Sequence, residues 1–499
     1  MIRAFLNSKE LKLYPDTAIG MTIENFNISD ISNRKIDRTN SITVPKFGNE
    51  TVFEFASLPN APSDFAYNDY DFDLIVDGIK VYENGRAFIV GEDQDSYQLN
   101  ITNNKNIIDL LKSIQLADLY SGDTVTLVNT TTWKNLFTTK TNGFKIDYLY
   151  NEDTLTGDTY NFIIWQKYVC IYLDTILAKI EADYDITFSG DLLTDADFLK
   201  MRIPMVSSGL KKDWDTTNIV LYQIVIHDSL TAWDLLKNIM QLFCAVFKIS
   251  GNDIELQKFN DIDIATPINW TGKIVSSSKK FAIPDTSQEN YLKYSVGDEV
   301  DDYALSVLIP CNNTNINIKN DLATMKSKLF LYLDVNQFYT NGSAEPLLGI
   351  FMPKKETFTS QVDASIIQIK GLKDIVILVD SDEYLGQPLA LDFHFTGKPG
   401  EFDFWEDTAL NGNVTTDAGT KIVKYYDPAA NYSLIETMLT DPVFYEAELL
   451  LNIVDINDFD HFKAVRIDEL QGIFYVNKIR NFLATSPGIP TKVELIKIS

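Results

Sequence analysis

Apolar and polar positions alternate in short runs over the first hundred residues. The runs ELKLY (10–14), GMTIENFNI (20–28), SITVPKF (41–47) and TVFEF (51–55) are separated by Pro, Gly and Asn, which predicts β-strands. Asp69, Asp71 and Asp73 alternate with Tyr70 and Phe72, the pattern of a strand with one wet face. Asn84-Gly85 stands between two apolar runs and predicts a hairpin turn. At 104–116, Ile107, Leu110, Leu111 and Ile114 fall at helical spacing, so a short helix is expected.

Longer stripes occupy the middle of the chain. Between Trp165 and Tyr184, the residues Val169, Tyr172, Leu173, Ile176, Leu177 and Ile180 share one helical face. A second helix, capped by Asp228 or Ser229, would carry Trp233, Leu236, Met240, Phe243 and Phe247 as a seam. It runs into Gly251-Asn252-Asp253 and the β-run IELQKF, so a helix feeding a tight turn and a strand recurs as a local unit. From about 255 onward strands are expected again, in TPINWTGKIV, ENYLKYSV, KLFLYL, ASIIQIKG, DIVILVD, LALDFHF, GIFYVNKIRNF and VELIKIS. A further helix is predicted at roughly 428–440, between Pro428 and Pro442. The expected class is α+β, rich in β, with several small β-barrel or β-sandwich domains and a few amphipathic helices. The divisions expected are 1–103, an N-terminal β domain; 104–225, mixed α/β; 226–380, an α+β barrel; and 381–499, an acidic, β-rich C-terminal domain.

Composition sharpens this picture through charge. The 499 residues are 45% hydrophobic and 12% aromatic, which excludes a disordered chain, while 43 Lys and Arg against 70 Asp and Glu leave a formal charge of −27. So acidic a surface repels phosphate backbones and anionic lipid. The excess is uneven: residues 380–460 hold 17 acidic and 3 basic side chains, whereas 461–499 hold 6 basic and 3 acidic. The opening MIRAFLNSKELKLYP lacks the apolar core of a signal peptide, and no long apolar run predicts a membrane span. A soluble chain made in a reducing cytoplasm is therefore expected, with Cys170, Cys244 and Cys311 as inert thiols, Cys170 and Cys244 lying within apolar helical patterns.

Little in the chain promises chemistry. His227, His394 and His461 are far apart and belong to no metal-ligand pair. No nucleophile elbow, phosphate loop, dinucleotide fingerprint or kinase set is present. Glu401, Asp403, Glu406 and Asp407 around Phe402, Phe404 and Trp405 form the best acidic-aromatic cluster, readable as a sugar cleft or as a solvated loop with buried rings. Asp455, Asn457 and Asp458 resemble the start of a calcium loop, but Phe459 and Asp460 stand where Asp or Asn and Gly are needed, so a polar turn is expected. Asp298, Glu299, Asp301 and Asp302 read as a solvated loop. Arg34, Lys35 and Arg38 are the densest basic group and, without interleaved aromatics, suit contact with an acidic neighbouring subunit or plain solvation. No catalytic residue, cofactor or metal is expected.

Three or four blocks carry a family likeness. DISNRKIDRTNSITVPKFGNETVF, with Arg38, Asn40, Ser41, Thr43, Pro45, Asn49 and Phe53 in place, resembles structural proteins of the tail modules of tailed phages and prophages of the Bacteroidetes. WQKYVCIYLDTILAKIEADYDITFSGDLL running into FLKMRIPM looks like the same group. SLTAWDLLKNIMQLFCAVFKISGNDIELQKF is similar to baseplate hub proteins of contractile tails and to the late-control-D family, and the close LQGIFYVNKIRNF…PTKVELIKI is like their C-terminal strands. Residues 255–460 match least. The resemblance implies a ring-forming tail hub, a homotrimer with small hub-like barrels at 226–380, that caps the tail tube and joins it to spike or fibre proteins. Tape-measure and distal tail proteins would be neighbours, DNA would be passing cargo along an acidic bore, and the protein would sit at the distal end of the virion tail after assembly in the bacterial cytoplasm. The competing readings are a distal tail ring protein, a glycan-binding tail adhesin and a tail-associated glycosidase. Polar loops such as 60–69 and 310–325 are expected to be ordered by partners.

Overall fold

The computed structural model describes residues 2–14, 17, 19–24, 28, 38–39, 42–53, 68–102, 105–120, 124–127, 140, 142–151, 155–156, 159–160, 167–204, 210–211, 220–223, 230–284, 286–294, 307–317, 319–325, 328–331, 333–334, 338–340, 343–345, 348–352, 376–379, 414–416, 428–484, 486 and 488–498. They form a β-rich α+β protein with several sheets and more than one domain, and among them no sheet closes into a barrel.

The largest sheet has 14 strands and is built from both ends of the chain. Ile2–Leu6, Tyr70–Val76, Ile79–Glu92 and Ser96–Thr102 run as antiparallel neighbours, and Gly20–Glu24 then pairs with Gly472–Leu483, Met21 opposite Phe482 and Ile23 opposite Ile479. Lys478 and Glu24 form an ion pair at that seam, both largely shielded from solvent. Beyond it lie Thr491–Lys497, Phe444–Leu449 and finally Ile274–Lys280.

The C-terminal strands are covered on both faces, which explains their near-continuous apolar runs. Tyr445, Ala447, Leu449, Phe474, Val476, Val493 and Leu495 enter a core shared with Leu74 and Leu99 of the N-terminal strands and with Trp270 from the middle of the chain. Their sequence neighbours Phe444, Tyr475 and Ile496 point the other way, into a core made by the helices. The period-2 alternation of a strand thus distributes side chains between two cores.

The helical core explains the recurring local unit. Leu173–Tyr184 buries Leu173, Ile176, Leu177 and Ile180, ends on Asp185 at φ +52° and feeds Thr187–Ser189. Ala232–Phe243 ends on Cys244 at φ +48° and feeds Ala245–Ser250. Both strands join Asp253–Lys258 in one three-stranded sheet, Thr187–Ser189 as its parallel neighbour. Gly190 permits this close approach: a Cβ there would lie 2.1 Å from the Leu256 carbonyl oxygen, and its φ is +103°.

The helices expected at 104–116 and 428–440 are present as Lys105–Ser113 and as Pro428–Tyr432, a 3₁₀ turn, continuing into Ser433–Thr440. Tyr70–Val76 has its wet face as expected, with Phe72, Leu74 and Val76 buried. Four expectations need correction. The hairpin turns at Asp77-Gly78 (φ +51° and +85°), while Asn84-Gly85 lies inside the Ile79–Glu92 strand. There Gly85 faces Phe72 and Tyr82 faces Leu74, so the pair supplies the extra residue of a bulge. The Trp165–Tyr184 stripe divides: Lys167–Tyr172 is a strand, because KYVCIY is β-branched and aromatic, and only Leu173 onward is helix. Cys170 accordingly lies on a strand. The cap of the Ala232–Phe243 helix is Thr231, not Asp228 or Ser229, and Phe247 belongs to the following strand, where its ring meets Trp233 edge-on at 5.7 Å. Thr51–Phe53 forms a turn in place of the expected strand. ASIIQIKG and LALDFHF lie outside the described residues.

Candidate interaction surface

Asn49 shows how a motif residue works here. It is fully buried; its Oδ1 accepts the Lys12 backbone N–H at 2.7 Å, and its Nδ2 donates to the carbonyls of Lys12 (2.9 Å) and Pro45 (2.7 Å). Its own carbonyl accepts from Val52 and Phe53, which delivers the Phe53 ring onto Tyr97 with centroids 4.6 Å apart. Asn49 and Phe53 therefore hold three segments together and present nothing to a ligand.

The other residues singled out for chemistry disperse likewise. Asp455 joins Asn452 in a capping box that starts the Ile453–Asn457 helix, and its Oδ2 lies 2.6 Å from Lys273 Nζ. The calcium-like run is a capped helical turn whose carboxylate is already engaged. His461 packs edge-on against Phe459 at 5.1 Å. The three thiols are buried, and burial alone pushes the Cys244 thiol up well above its ordinary range. Among the described residues no three His, Cys, Asp or Glu side chains converge as a metal site. No helix among them is long and apolar enough to cross a membrane. His227, His394, Arg34, Lys35, the 401–407 cluster and Asp298, Glu299, Asp301 and Asp302 lie outside the described residues, as does the side chain of Arg38.

The 311–317 part of the loop expected to need partners is held by the chain itself. Gln288 Nε2 donates to the carbonyls of Thr314 and Ile316, Asn312 Nδ2 to Asp441, and Asn313 Nδ2 to the Phe281 carbonyl at 2.6 Å. Residues 319–325 form a strand parallel to Glu289–Tyr294. Residues 60–67 lie outside the described residues.

What the described surface does offer is a strand edge. Among the described residues the large sheet has four outer strands: Lys9–Leu11, Asp263–Asn269, Ile42–Pro45 and Ile274–Lys280. The first is three residues long, with Lys9 Nζ bound to the Thr51 carbonyl at 2.7 Å. The second contains Pro267 and an irregular register between Asp263 and Ile268. The third is four residues long and ends on Pro45, with Ile42 and Val44 buried. Ile274–Lys280 differs from all three. After a shift near Val275, Ser276 to Lys280 run in unbroken register opposite Glu448 to Phe444, and every side chain from Val275 on is exposed. Lys280 reaches Glu446 at 2.7 Å and Ser276 Oγ donates to Glu448 at 2.8 Å, whereas Lys279 Nζ stands 4.9 Å from the Phe281 ring centroid and 5.9 Å from that of Tyr445. Phe281 is 63% exposed and Val275 50%; Leu450, whose N–H binds the Lys273 carbonyl, and Val454 are also exposed. No signal in IVSSSKK marks this edge, since its residues neither alternate nor form an apolar run.

No family model matches the chain, and no curated protein matches it. Among solved structures it is similar to the 43 kDa tail protein of prophage MuSo2 from Shewanella oneidensis, with a TM-score of 0.40 and 8% identity over 99% of this chain and 97% of that one. It is also similar to a tail protein from Neisseria meningitidis MC58, at 0.37 and 8% identity over 99% and 96%. The prophage tail protein gp18 from Listeria monocytogenes EGD-e gives 0.35 and 7% over 99% and 94%. Likeness at this level does not say what the chain does.

Proposed function

We propose that the chain is a structural virion protein of a phage tail tip, a tail hub that caps the tail tube, joins it to distal spike or fibre proteins and lines the path by which DNA leaves. One observation supports this reading most. The blocks of sequence that resemble tail proteins are the same segments that assemble into two contiguous modules. The opening and closing blocks lie in one sheet, one strand apart: Arg38–Thr39 of the opening block pairs with Gly20–Glu24, which pairs with Gly472–Leu483 of the closing block, and Asn49 and Phe53 buttress that sheet. The two central blocks supply the helices Leu173–Tyr184 and Ala232–Phe243, with the strands they feed sharing one sheet. Resemblance spread along the sequence thus becomes local in space.

In this reading the protein works mechanically and has no catalytic residue, cofactor or metal. It associates with itself into a ring, as a homotrimer, and meets the tube, the tape-measure protein and a spike or fibre. The acid-rich 380–460 segment suits a bore through which a polyanion slides without sticking. The test is negative-stain imaging of the purified chain alone and mixed with the tail tube protein encoded beside it. Rings that cap tube ends are expected. Tubes that remain open at both ends with the chain in excess would contradict the proposal.

A further inference from the structure

A sheet edge left long, regular and exposed is a template for another strand, and proteins ordinarily blunt such edges. Three of the four described edges of the large sheet are short or interrupted: Lys9–Leu11 by brevity and a tethered lysine, Ile42–Pro45 by brevity and its terminal proline, and Asp263–Asn269 by proline and an irregular register. Ser276 to Lys280 is guarded by charge alone, through Lys279 and Lys280: it is in register, free of proline, and no described residue pairs with its outer side, so a strand that brings carboxylates meets no barrier there. Its ends are apolar and exposed, with Val275 beside Leu450 and Val454 at one end and Phe281 at the other. Its chemistry is also incomplete. Lys280 has Glu446, but among the described residues Lys279 has no carboxylate and only the two rings of Phe281 and Tyr445.

We propose that this edge accepts an extended, carboxylate-bearing strand from a second copy of the chain. Charge selects both the place and the occupant. Copies carrying −27 each repel one another over most of their surface, and an un-neutralised lysine between apolar ends is where an acidic copy gains from approach. Main-chain hydrogen bonds supply the pairing, and the apolar ends flank it. The accepted strand is not the same edge of the other copy. Residues 274–280 contain no carboxylate, and self-pairing centred on Ser277 would set Lys279 against Val275 and leave it without a counter-charge. The contact is therefore heterologous, the kind that closes rings. This contact rests on the self-associating ring proposed above and is the one that builds it; altered edges that assemble like wild type would overturn this contact and leave the ring reading standing.

The test is sedimentation velocity of the full chain at low ionic strength, comparing wild type with Lys279→Glu, Lys279→Arg and Ser277→Pro, with near-ultraviolet circular dichroism as the check on folding. The wild type and Lys279→Arg are expected to sediment as one oligomer above monomer mass. Lys279→Glu sets like charges face to face and is expected to weaken association by at least about tenfold; Ser277→Pro removes a main-chain donor from the edge and is expected to do the same. Because Lys279 is on an exposed strand, Lys279→Glu reports even if the proline variant does not fold. A monomeric wild type would overturn the proposal, as would both altered edges assembling like wild type, or an edge that binds the tube protein but not a second copy.

Discussion

Replacing Asn49 with alanine removes three hydrogen bonds at one stroke and leaves their partners in place. The Pro45 carbonyl is buried, so losing the Asn49 donor strands it, at about 1–2 kcal/mol. The Lys12 N–H and carbonyl are only partly buried and regain some water, so each loss is set at about 0.5 kcal/mol. The sum is about 2–3 kcal/mol, felt first where Lys12 meets the turn at 46–53. Native-state hydrogen exchange of the Lys12 amide reads this directly and needs no assumption that so large a chain unfolds in one step. Since each 1.4 kcal/mol is a factor of ten, exchange is expected to quicken roughly 30–140-fold. Asn49→Asp discriminates shape from bonding. It keeps the acceptor for Lys12 but aims a carboxylate oxygen at two carbonyls, so it is expected to be at least as damaging as alanine. Protection within about threefold of wild type in either variant would refute the reasoning.

Other expectations follow from the same geometry. Thr231→Ala removes the side chain that accepts from the Asp234 N–H in the cap of the Ala232–Phe243 helix, and is expected to cost about 1 kcal/mol in urea titration, with Thr231→Ser close to wild type. Gly190→Ala drives a Cβ into the Leu256 backbone and is expected to give no soluble, cooperatively folded protein. Gly78→Ala, at φ +85° with nothing within 4 Å, is expected to cost only about 1–2 kcal/mol; equal effects in a thermal melt would refute the steric account. Burial works against the charged forms of Asp195 and Asp234, but Lys258 and the Phe198 and Asp197 N–H groups, and Lys237 with Thr231, hold both carboxyls below their usual range. A depressed folded value stabilises above the unfolded value, about 3.9, and that stability is lost as pH falls through the folded one. Stability is therefore expected to decline below about pH 4, and less steeply in Asp195→Asn; identical acid limbs in urea titrations would contradict this.

The readable parts of the fold are those that local chemistry decides. Ile107 and Leu111 declare the first helix through an apolar stripe at helical spacing, and the Ala232–Phe243 seam does the same although its last six residues, Asn238 to Phe243, are buried all round. The turn at Asp77-Gly78 is harder to read, since Asn84-Gly85 offers the same turn-forming residue types, and only the fold shows that Asp77-Gly78 takes the left-handed backbone while Asn84-Gly85 falls in a bulge. Lys167–Tyr172 imitates a helix stripe because a strand and a helix overlap in periodicity over so few residues. Non-local pairing is out of reach of any local pattern: nothing around Glu24 announces Lys478, 454 residues on. The edge at Ile274–Lys280 is hidden for the opposite reason. A strand whose side chains all face water carries no hydrophobic pattern, and it becomes visible only when its neighbour Phe444–Leu449 is known to end the buried part of the sheet.

The central claim is that this chain sits at the tip of a tail. Gold-labelled antibody raised against the purified chain, applied to phage particles from the bacterium that carries its gene, tests this most directly. Label confined to the distal end of intact tails is the result predicted. Particles with complete tails that take up no label, or label spread along the tail shaft or over the head, would contradict it.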